Sequence, residues 1–390
     1  MKVESFTSDE IGELVRLPLP DGALADGSTH AWGFLPKPPP ASLQLDESLH
    51  VFLSNASHSV GRLDGLGTYS PVSSQFLIPV LIRREAVSSS RIEGTETDLE
   101  QLLTFEEEGD NSPSDAQEVL NYVRALEYGL NRGDGRNISP SLICELHALL
   151  LKNVRGSDLN PGRYREGVVY IGNPRRGIQN ARFVPPPPDQ VPGLMLDLES
   201  WLLAPSQIPH LARLAIYHYQ FEAIHPFSDG NGRTGRLLLP LLLGSWGLLS
   251  QPYLYLSRFI ERHKDDYMDG LLKVSQTGNW NEWIQFILDA IISESFTTTR
   301  LIQDLVALKL EYRDRYRSVR GYYVADAIDM IFERPVIRIR RLSETLGIAY
   351  NTARQFVETL ELDGVLTVAS HRKRDRVFLA QEIIGLVNRD

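Results

Sequence analysis

Apolar residues recur at helical spacing along most of this chain. The pattern is visible from Leu45 and strong over residues 75–90, where Phe76, Ile78, Val80, Ile82, Ala86 and Val87 interleave with Arg83, Arg84 and Glu85. A second helix is predicted after the cap at Ser114 and Asp115, carrying Val119, Tyr122, Val123, Leu126 and Tyr128. A third follows Ser139 and Pro140, with Leu142, Ile143, Leu146, Leu149 and Leu150 on one face. Helix returns from Val191 through Trp201, and apolar stretches at 211–224 and 237–244 flank a polar segment. Further helices are predicted over 254–274 and 279–310.

Other stretches break this period. Residues 1–45 look loop-rich, with Gly22, Gly27, Gly33 and the prolines around 36–40, and read as an extended arm over the body. The acidic run 104–113 reads as a linker. Two β-prone runs, 168–171 and 182–184, flank Asn173-Pro-Arg-Arg-Gly177 and predict a hairpin ended by prolines 185–188. Toward the C-terminus come an apolar helix at 324–332, a helix–turn–helix pattern at 341–348 and 350–362, and two strands at 364–368 and 376–379. That is a winged-helix outline. The predicted fold is therefore mainly α with one small β-hairpin and a C-terminal winged helix-turn-helix domain. Its expected divisions are an N-terminal region at 1–112, a helical core at 113–310 and the winged helix at 320–390.

Composition narrows the class. The single cysteine, Cys144, rules out a disulfide within the chain and suits a reducing cytoplasm. The N-terminus lacks the apolar core of a secretory signal, and the longest apolar run, 237–243, is too short to span a bilayer. A soluble cytoplasmic protein without a membrane partner is expected. A formal charge of −10 argues against a general nucleic-acid binder, although a local basic patch is compatible with it.

The polar segment between the apolar stretches concentrates the chemistry. It reads His225-Pro226-Phe227-Ser228-Asp229-Gly230-Asn231-Gly232-Arg233-Thr234-Gly235-Arg236. Alternating glycines let a backbone turn its N–H groups toward a ligand, and the following helix start adds its dipole. Two arginines one turn apart offer forked cationic donors on one face. The combination suits a polyphosphate with an imidazole base beside it.

This run is similar, position for position, to the Fic family signature H-P-F-x-[DE]-G-N-G-R-x-x-R. The resemblance implies a Fic helical core and transfer of AMP from ATP to a Ser, Thr or Tyr hydroxyl of a target protein. It implies His225 as general base and Asp229 as a Mg²⁺ ligand; an Asx turn into Gly230 is the plainer role for Asp229. Gly230, Asn231 and Gly232 would donate to the α- and β-phosphates, Arg233 would hold the β-phosphate and Arg236 the γ-phosphate. Thr234 and Gly235 fall within the same nucleotide-binding stretch. Tyr267 is placed to wall the nucleotide pocket, or equally to serve as a core tyrosine.

Two more elements fit the family. Val169, Tyr170, Ile171, Arg182 and Phe183 occupy the place of its β-flap, where a target segment aligns along a strand edge; a hairpin made only for packing is the alternative. Residues 161–165 resemble the segment leading into that flap. Ser89-Ser90-Arg91-Ile92-Glu93-Gly94 fits its inhibitory pattern [ST]-x-x-x-E-[GN]. There Glu93, bound bidentately to Arg236, would compete with the γ-phosphate; an ordinary helix-end charge is the plainer reading. Gly94 stands where a C-cap glycine belongs.

The resemblance thus points to an auto-inhibited adenylyltransferase using ATP and Mg²⁺, with self-modification as a side activity. Removal of AMP, or transfer of another phosphate-containing group, occurs within the same fold. A DNA-binding regulator is the reading from another class: Arg354, Gln355 and residues 371–374 are suitable phosphate or groove contacts, yet DNA is not expected to be the primary partner. Winged helices also dock proteins, and a homodimer is left open.

Overall fold

In the computed structural model, residues 1–19, 30–69, 74–109, 114–132, 138–319, 321, 323–369 and 376–389 are described. Gly22, Gly27, the end of the acidic run and the wing residues 371–374 lie outside them. The N-terminal stretch contains a hairpin where an extended arm is predicted: β1 (Gly12–Pro18) pairs antiparallel with β2 (His30–Pro36), Val15 opposite Gly33. Gly33 reads as a breaker in sequence, but it marks a close approach. A Cβ there would meet the Pro185 carbonyl at 2.9 Å.

The body is helical. α1 (Glu47–Tyr69) and α2 (Ile78–Ile92) come first. α3 (Leu99–Glu108) runs through the predicted acidic linker, started by an Asp98–Gln101 capping box and buried through Leu99, Leu102 and Leu103. Next are α4 (Asp115–Asn131), capped by Ser114, and α5 (Pro140–Leu150), capped by Ser139. α6 (Val191–Leu203), α7 (His210–Ile224) and α8 (Asn231–Ser245) follow the flap region. The single helix predicted over 254–274 is two, α9 (Ser257–Arg262) and α10 (Lys264–Thr277), which meet at His263. α11 (Asn281–Arg315), 35 residues long, is the spine against which α1 and α7 pack.

α7 is buried without interruption from Leu211 to Ile224. A helix buried on every side, here including Arg213, His218, Gln220 and Glu222, sits at the centre of a core, and its C-terminal end therefore delivers the next residues into the interior. α2 is nearly as buried, and its buried set includes Arg83, Arg84, Glu85 and Ser88 to Ser90. Such groups need partners, so α2 is a polar-cored helix.

The C-terminal unit comprises α12 (Val324–Glu333), β3 (Val336–Arg338), α13 (Ile339–Leu346), α14 (Tyr350–Leu362), β4 (Thr367–Val368), β5 (Val377–Leu379) and α15 (Gln381–Asn388). Its sheet runs β3-β5-β4, antiparallel, with Ile337 opposite Phe378. β3 and α15 add to the predicted elements. The unit packs on the body: Phe76 meets Phe332 edge to face, Arg341 pairs with Glu107 at 2.5 Å, and Tyr312 donates to Glu382 at 2.8 Å. Among the described residues, no helix is long and apolar enough to cross a membrane.

Candidate active site

α7 stops because His225 adopts the left-handed conformation, φ 51°, while its N–H still reaches the Phe221 carbonyl. The chain then turns around Phe227, which is fully buried. Asn231 grips that residue from both sides: its Oδ1 accepts from the Phe227 N–H and its Nδ2 donates to the Phe227 carbonyl, each at 2.8 Å. Gly230, at φ 76°, is the N-cap of α8, and Thr234 Oγ1 donates back to its carbonyl at 2.9 Å.

Two side chains from elsewhere brace the turn. Arg165, in the segment before the flap, donates through Nε to the His225 carbonyl (2.8 Å) and through Nη2 to the Pro186 carbonyl (2.7 Å); its N–H reaches the Pro226 carbonyl. His147 stacks on Phe227 with ring centroids 3.7 Å apart. Its Nδ1 accepts from the Gly162 N–H, so Nε2–H donates to the Asp229 carbonyl at 2.9 Å. Burial pushes His147 down to about 4, keeping it neutral in this role.

The braced turn forms one wall of a cavity of about 640 Å³, closed by the first turn of α8, the flap, the end of α2 and α10. His225 faces it with Nδ1–H donating to the Glu222 carbonyl at 3.3 Å, since a carbonyl can only accept. Nε2 therefore keeps its lone pair. Burial and the nearby Arg165 guanidinium lower His225 to about 4, so the imidazole is neutral at pH 7 and able to accept a proton. The Glu222 carboxylate lies 4.0 Å from Nδ1, and burial raises it to about 7.

The two arginines of α8 are each 1% exposed and have different partners. Arg233 Nη1 contacts Glu118 of α4 at 3.1 Å, with Arg155 3.7 Å from the same carboxylate oxygen. Arg236 donates through Nε to Ser89 Oγ, and through Nη2 to the Ser89 carbonyl (2.9 Å) and Glu93 Oε1 (2.7 Å). The Glu93–Arg236 contact is thus a single hydrogen bond, not the bidentate pair expected; Ser89 takes the remaining edge of the guanidinium. Burial works against the charge of Glu93, but Arg236 holds it below the usual carboxylate range. Glu93 Oε1 lies over the helix start, where a Cβ on Gly232 would be 2.4 Å away.

Of the predicted nucleotide-binding residues, Gly230, Asn231, Gly232, Arg233, Arg236 and Tyr267 line the cavity. The Asn231 amide is committed to Phe227, which leaves only its backbone N–H for a phosphate. Thr234 and Gly235 are not in the lining. Thr234 closes the cap, and a Cβ on Gly235 would strike Glu222 Oε1 at 2.3 Å, so these two fit α8 against α7. Tyr267 combines both expectations: it is buried, lines the cavity and shares a 2.9 Å hydrogen bond with His218 Nε2.

The flap residues Val169, Tyr170, Ile171, Arg182 and Phe183 also line the cavity. Their hairpin closes on one antiparallel bridge, Ile171 to Phe183, rather than a regular ladder. It rests on the N-terminal hairpin, since Phe34 N–H donates to the Val184 carbonyl at 2.8 Å and the Phe34 and Phe183 rings touch. Sequence reading does not reach Glu118 and Glu222, which look like other charges on buried helices, nor Arg155 in a turn and Lys264 at the start of α10, which look like surface cations.

Asp229 lines the same cavity, with Oδ1 accepting from the Gly230 N–H at 2.7 Å, which is the Asx turn. One carboxylate fits Mg²⁺, a hard cation held otherwise by phosphate oxygens and water. Among the described residues, no group of three or more His, Cys, Asp or Glu is placed to hold a metal without such a ligand. In the C-terminal unit, Arg354 is paired with Glu358 of its own helix at 2.8 Å.

Comparison with known proteins bears on this site directly. Residues 51–131 match the Fic/DOC family N-terminal model and residues 137–243 the Fic/DOC family model. The chain is 32% identical over 202 residues to a probable protein adenylyltransferase of Aquifex aeolicus, covering 50% of this chain and 56% of that protein. It is 33% identical over 178 residues to the protein adenylyltransferase Fic of Culex quinquefasciatus, covering 44% and 32%. The chain thus spans between about a third and just over half of these relatives' lengths. A solved Fic family protein from Desulfovibrio desulfuricans G20 aligns with a TM-score of 0.55 and 25% identity, covering 88% of this chain and 98% of that one.

Proposed function

On the premise that residues 51–131 and 137–243 are Fic/DOC family domains, we propose that this chain is an auto-inhibited protein adenylyltransferase. It transfers AMP from ATP to a Ser, Thr or Tyr hydroxyl of a target protein, and to its own hydroxyls as a side activity. The observation that carries this reading is the single cavity shared by neutral His225, Asp229, the start of α8 with its two buried arginines, and the flap. The relatives' names point the same way.

In the proposed reaction the target hydroxyl gives its proton to His225 Nε2 as its oxygen forms a bond to the α-phosphorus. The bond from that phosphorus to the oxygen bridging the β-phosphate breaks, and pyrophosphate leaves with the electron pair. Nδ1–H stays on the Glu222 carbonyl throughout and fixes the ring. Backbone N–H groups at the start of α8 stabilise charge on the phosphates, with Arg233 and Arg236 beyond them. Asp229, together with phosphate oxygens, would hold Mg²⁺, which would supply neutralisation of phosphate charge. The flap would pair with an extended target segment through main-chain groups, fixing its register with loose demands on its sequence.

Inhibition rests on Glu93. Its carboxylate engages the Arg236 donor that the γ-phosphate would need, so ATP meets an occupied guanidinium. The C-terminal unit is read as a winged helix that serves docking more than DNA contact, consistent with the Arg354–Glu358 pair and its packing on α2, α3 and α11.

Labelled ATP separates this from other phosphate chemistry. Incubation of the Glu93→Gly variant with α-labelled ATP should leave label on protein, and γ-labelled ATP should not. Label retained from the γ position would mean phosphoryl transfer and overturn the reading.

A further inference from the structure

Arg236 has two kinds of partner. Its Nη2 meets Glu93 Oε1 at 2.7 Å, the contact that ATP would have to displace. Its Nε donates to Ser89 Oγ at 3.0 Å, and Nη2 also reaches the Ser89 carbonyl at 2.9 Å. The Ser89 contacts need not break when Glu93 leaves. Whatever stands behind Ser89 therefore decides how firmly the guanidinium is held once it is free of Glu93.

A short series of hydroxyls stands there. Ser89 Oγ accepts from Arg236 and still has a proton to give, and the side chain of Tyr122, on α4, is its hydrogen-bond partner. Tyr122 in turn donates its one proton to Glu85 Oε1 at 3.1 Å, which leaves its oxygen to accept from Ser89. Glu85 lies one turn before Ser89 on α2. It also accepts from the Ser257 hydroxyl and, at 3.2 Å, from the Ser257 N–H at the start of α9. Arg236, Ser89, Tyr122 and Glu85 are all buried. Every proton in the series thus points one way, from the guanidinium toward the carboxylate.

Burial raises Glu85 to about 7, while its donors and the Arg236 charge favour the ionised form. Arg84, its neighbour on α2, contacts Thr298 at 3.4 Å and takes its main counter-charge from Glu294, which leaves Glu85 to the hydroxyl series. A hydroxyl that donates becomes a better acceptor. A carboxylate two hydroxyls away therefore strengthens Ser89 Oγ toward the Arg236 Nε–H. Neither Glu85 nor Tyr122 lines the nucleotide cavity, so any influence on ATP passes through Arg236.

We propose that Glu85 and Tyr122 are positioning residues for the γ-phosphate: through Ser89 they keep the Arg236 guanidinium in place when Glu93 withdraws, with its outer donor turned to the nucleotide. Glu93 is then the removable counter-charge of Arg236 and Glu85 the permanent one. The proposal rests on the γ-phosphate role of Arg236 in the function proposed above.

Calorimetry on the full chain carrying Glu93→Gly tests this, with ATP and ADP titrated separately at pH 8, where Glu85 is ionised, in the presence of Mg²⁺. ADP lacks the phosphate that Arg236 would hold. Tyr122→Phe removes one buried oxygen and keeps the ring. It should weaken ATP binding about fivefold to tenfold and leave ADP within about twofold. Glu85→Gln should do the same. At saturating ATP the rate of AMP transfer should be retained, so the loss falls on KM rather than kcat. ATP and ADP weakened alike in Tyr122→Phe, or both unchanged, would overturn the proposal and leave the two residues a role in packing alone. Failure of the Glu93→Gly parent to bind ATP would instead remove the nucleotide site, and the adenylyltransferase reading with it.

Discussion

Arg233 and Arg236 stand one turn apart on α8, equally buried, yet the regions that neutralise them differ in kind. Glu118 meets Arg233 from the first turn of α4, a buried part of the body, with its side chain 8% exposed. Glu93 meets Arg236 from just past the end of α2, 37% exposed, followed by Gly94 at φ 93°. A carboxylate within a packed helix cannot leave without disturbing the core. One at a helix end beside a glycine can swing away at small cost. Under the proposed function, the first arginine would be fixed for a ligand and the second gated.

The largest expected effect lies outside both arginines, at the proposed base. His225→Ala should lower AMP transfer by about a hundredfold to ten-thousandfold while ATP binding, followed by calorimetry, stays near wild type. Loss of binding instead would make His225 a structural residue of the turn.

The carboxylates themselves come next. Glu93→Gly removes a charge-assisted hydrogen bond that is partly solvated, so transfer should rise roughly tenfold, at the low end for such a bond. Glu118→Ala should not raise it, since it leaves Arg233 buried without its partner. Equal stimulation by both variants would erase the distinction between gate and anchor.

The frame that holds the comparison in place can be weakened separately. Asn231→Ala strips both partners from the Phe227 backbone and should cost about 2–4 kcal/mol in denaturant unfolding. Little change would mean that Arg165 and His147 suffice to brace the turn.

A smaller effect concerns pH. With Glu222 at about 7 and His225 at about 4, the proposed base is neutral across the physiological range. Ionising Glu222, 4.0 Å from Nδ1, strengthens Nε2 as a base, so transfer should rise a few-fold as pH increases through about 7. Glu222→Gln should flatten that rise. A rise persisting in Glu222→Gln would assign it to another group.

What could be read from sequence was local. The turn after α7 is one continuous run, so its glycines, imidazole and arginines announce themselves, and the capped helices α4 and α5 follow from Ser114 and Ser139. Partners brought in by packing left no such trace: Glu118, Glu222 and Lys264 look like any charge on a helix. Glu93 makes one hydrogen bond with Arg236 rather than the bidentate pair, while Ser89, one turn before it, takes the Nε donor; no sequence pattern separates these two geometries. The acidic run concealed α3, whose Glu106 and Glu107 are paired with Arg83 and Arg341 rather than solvated. The break between α9 and α10 has no Gly or Pro to mark it; His263 turns there, stacked on Phe259 at 4.1 Å.

The most direct measurement is the initial rate of label incorporation from α-labelled ATP into protein by three forms of the chain: wild type, Glu93→Gly, and Glu93→Gly combined with His225→Ala. A low rate, a raised rate and none, in that order, is the expected result. A Glu93→Gly rate no higher than wild type, or label still incorporated by the double variant, would contradict a gated arginine beside a histidine base.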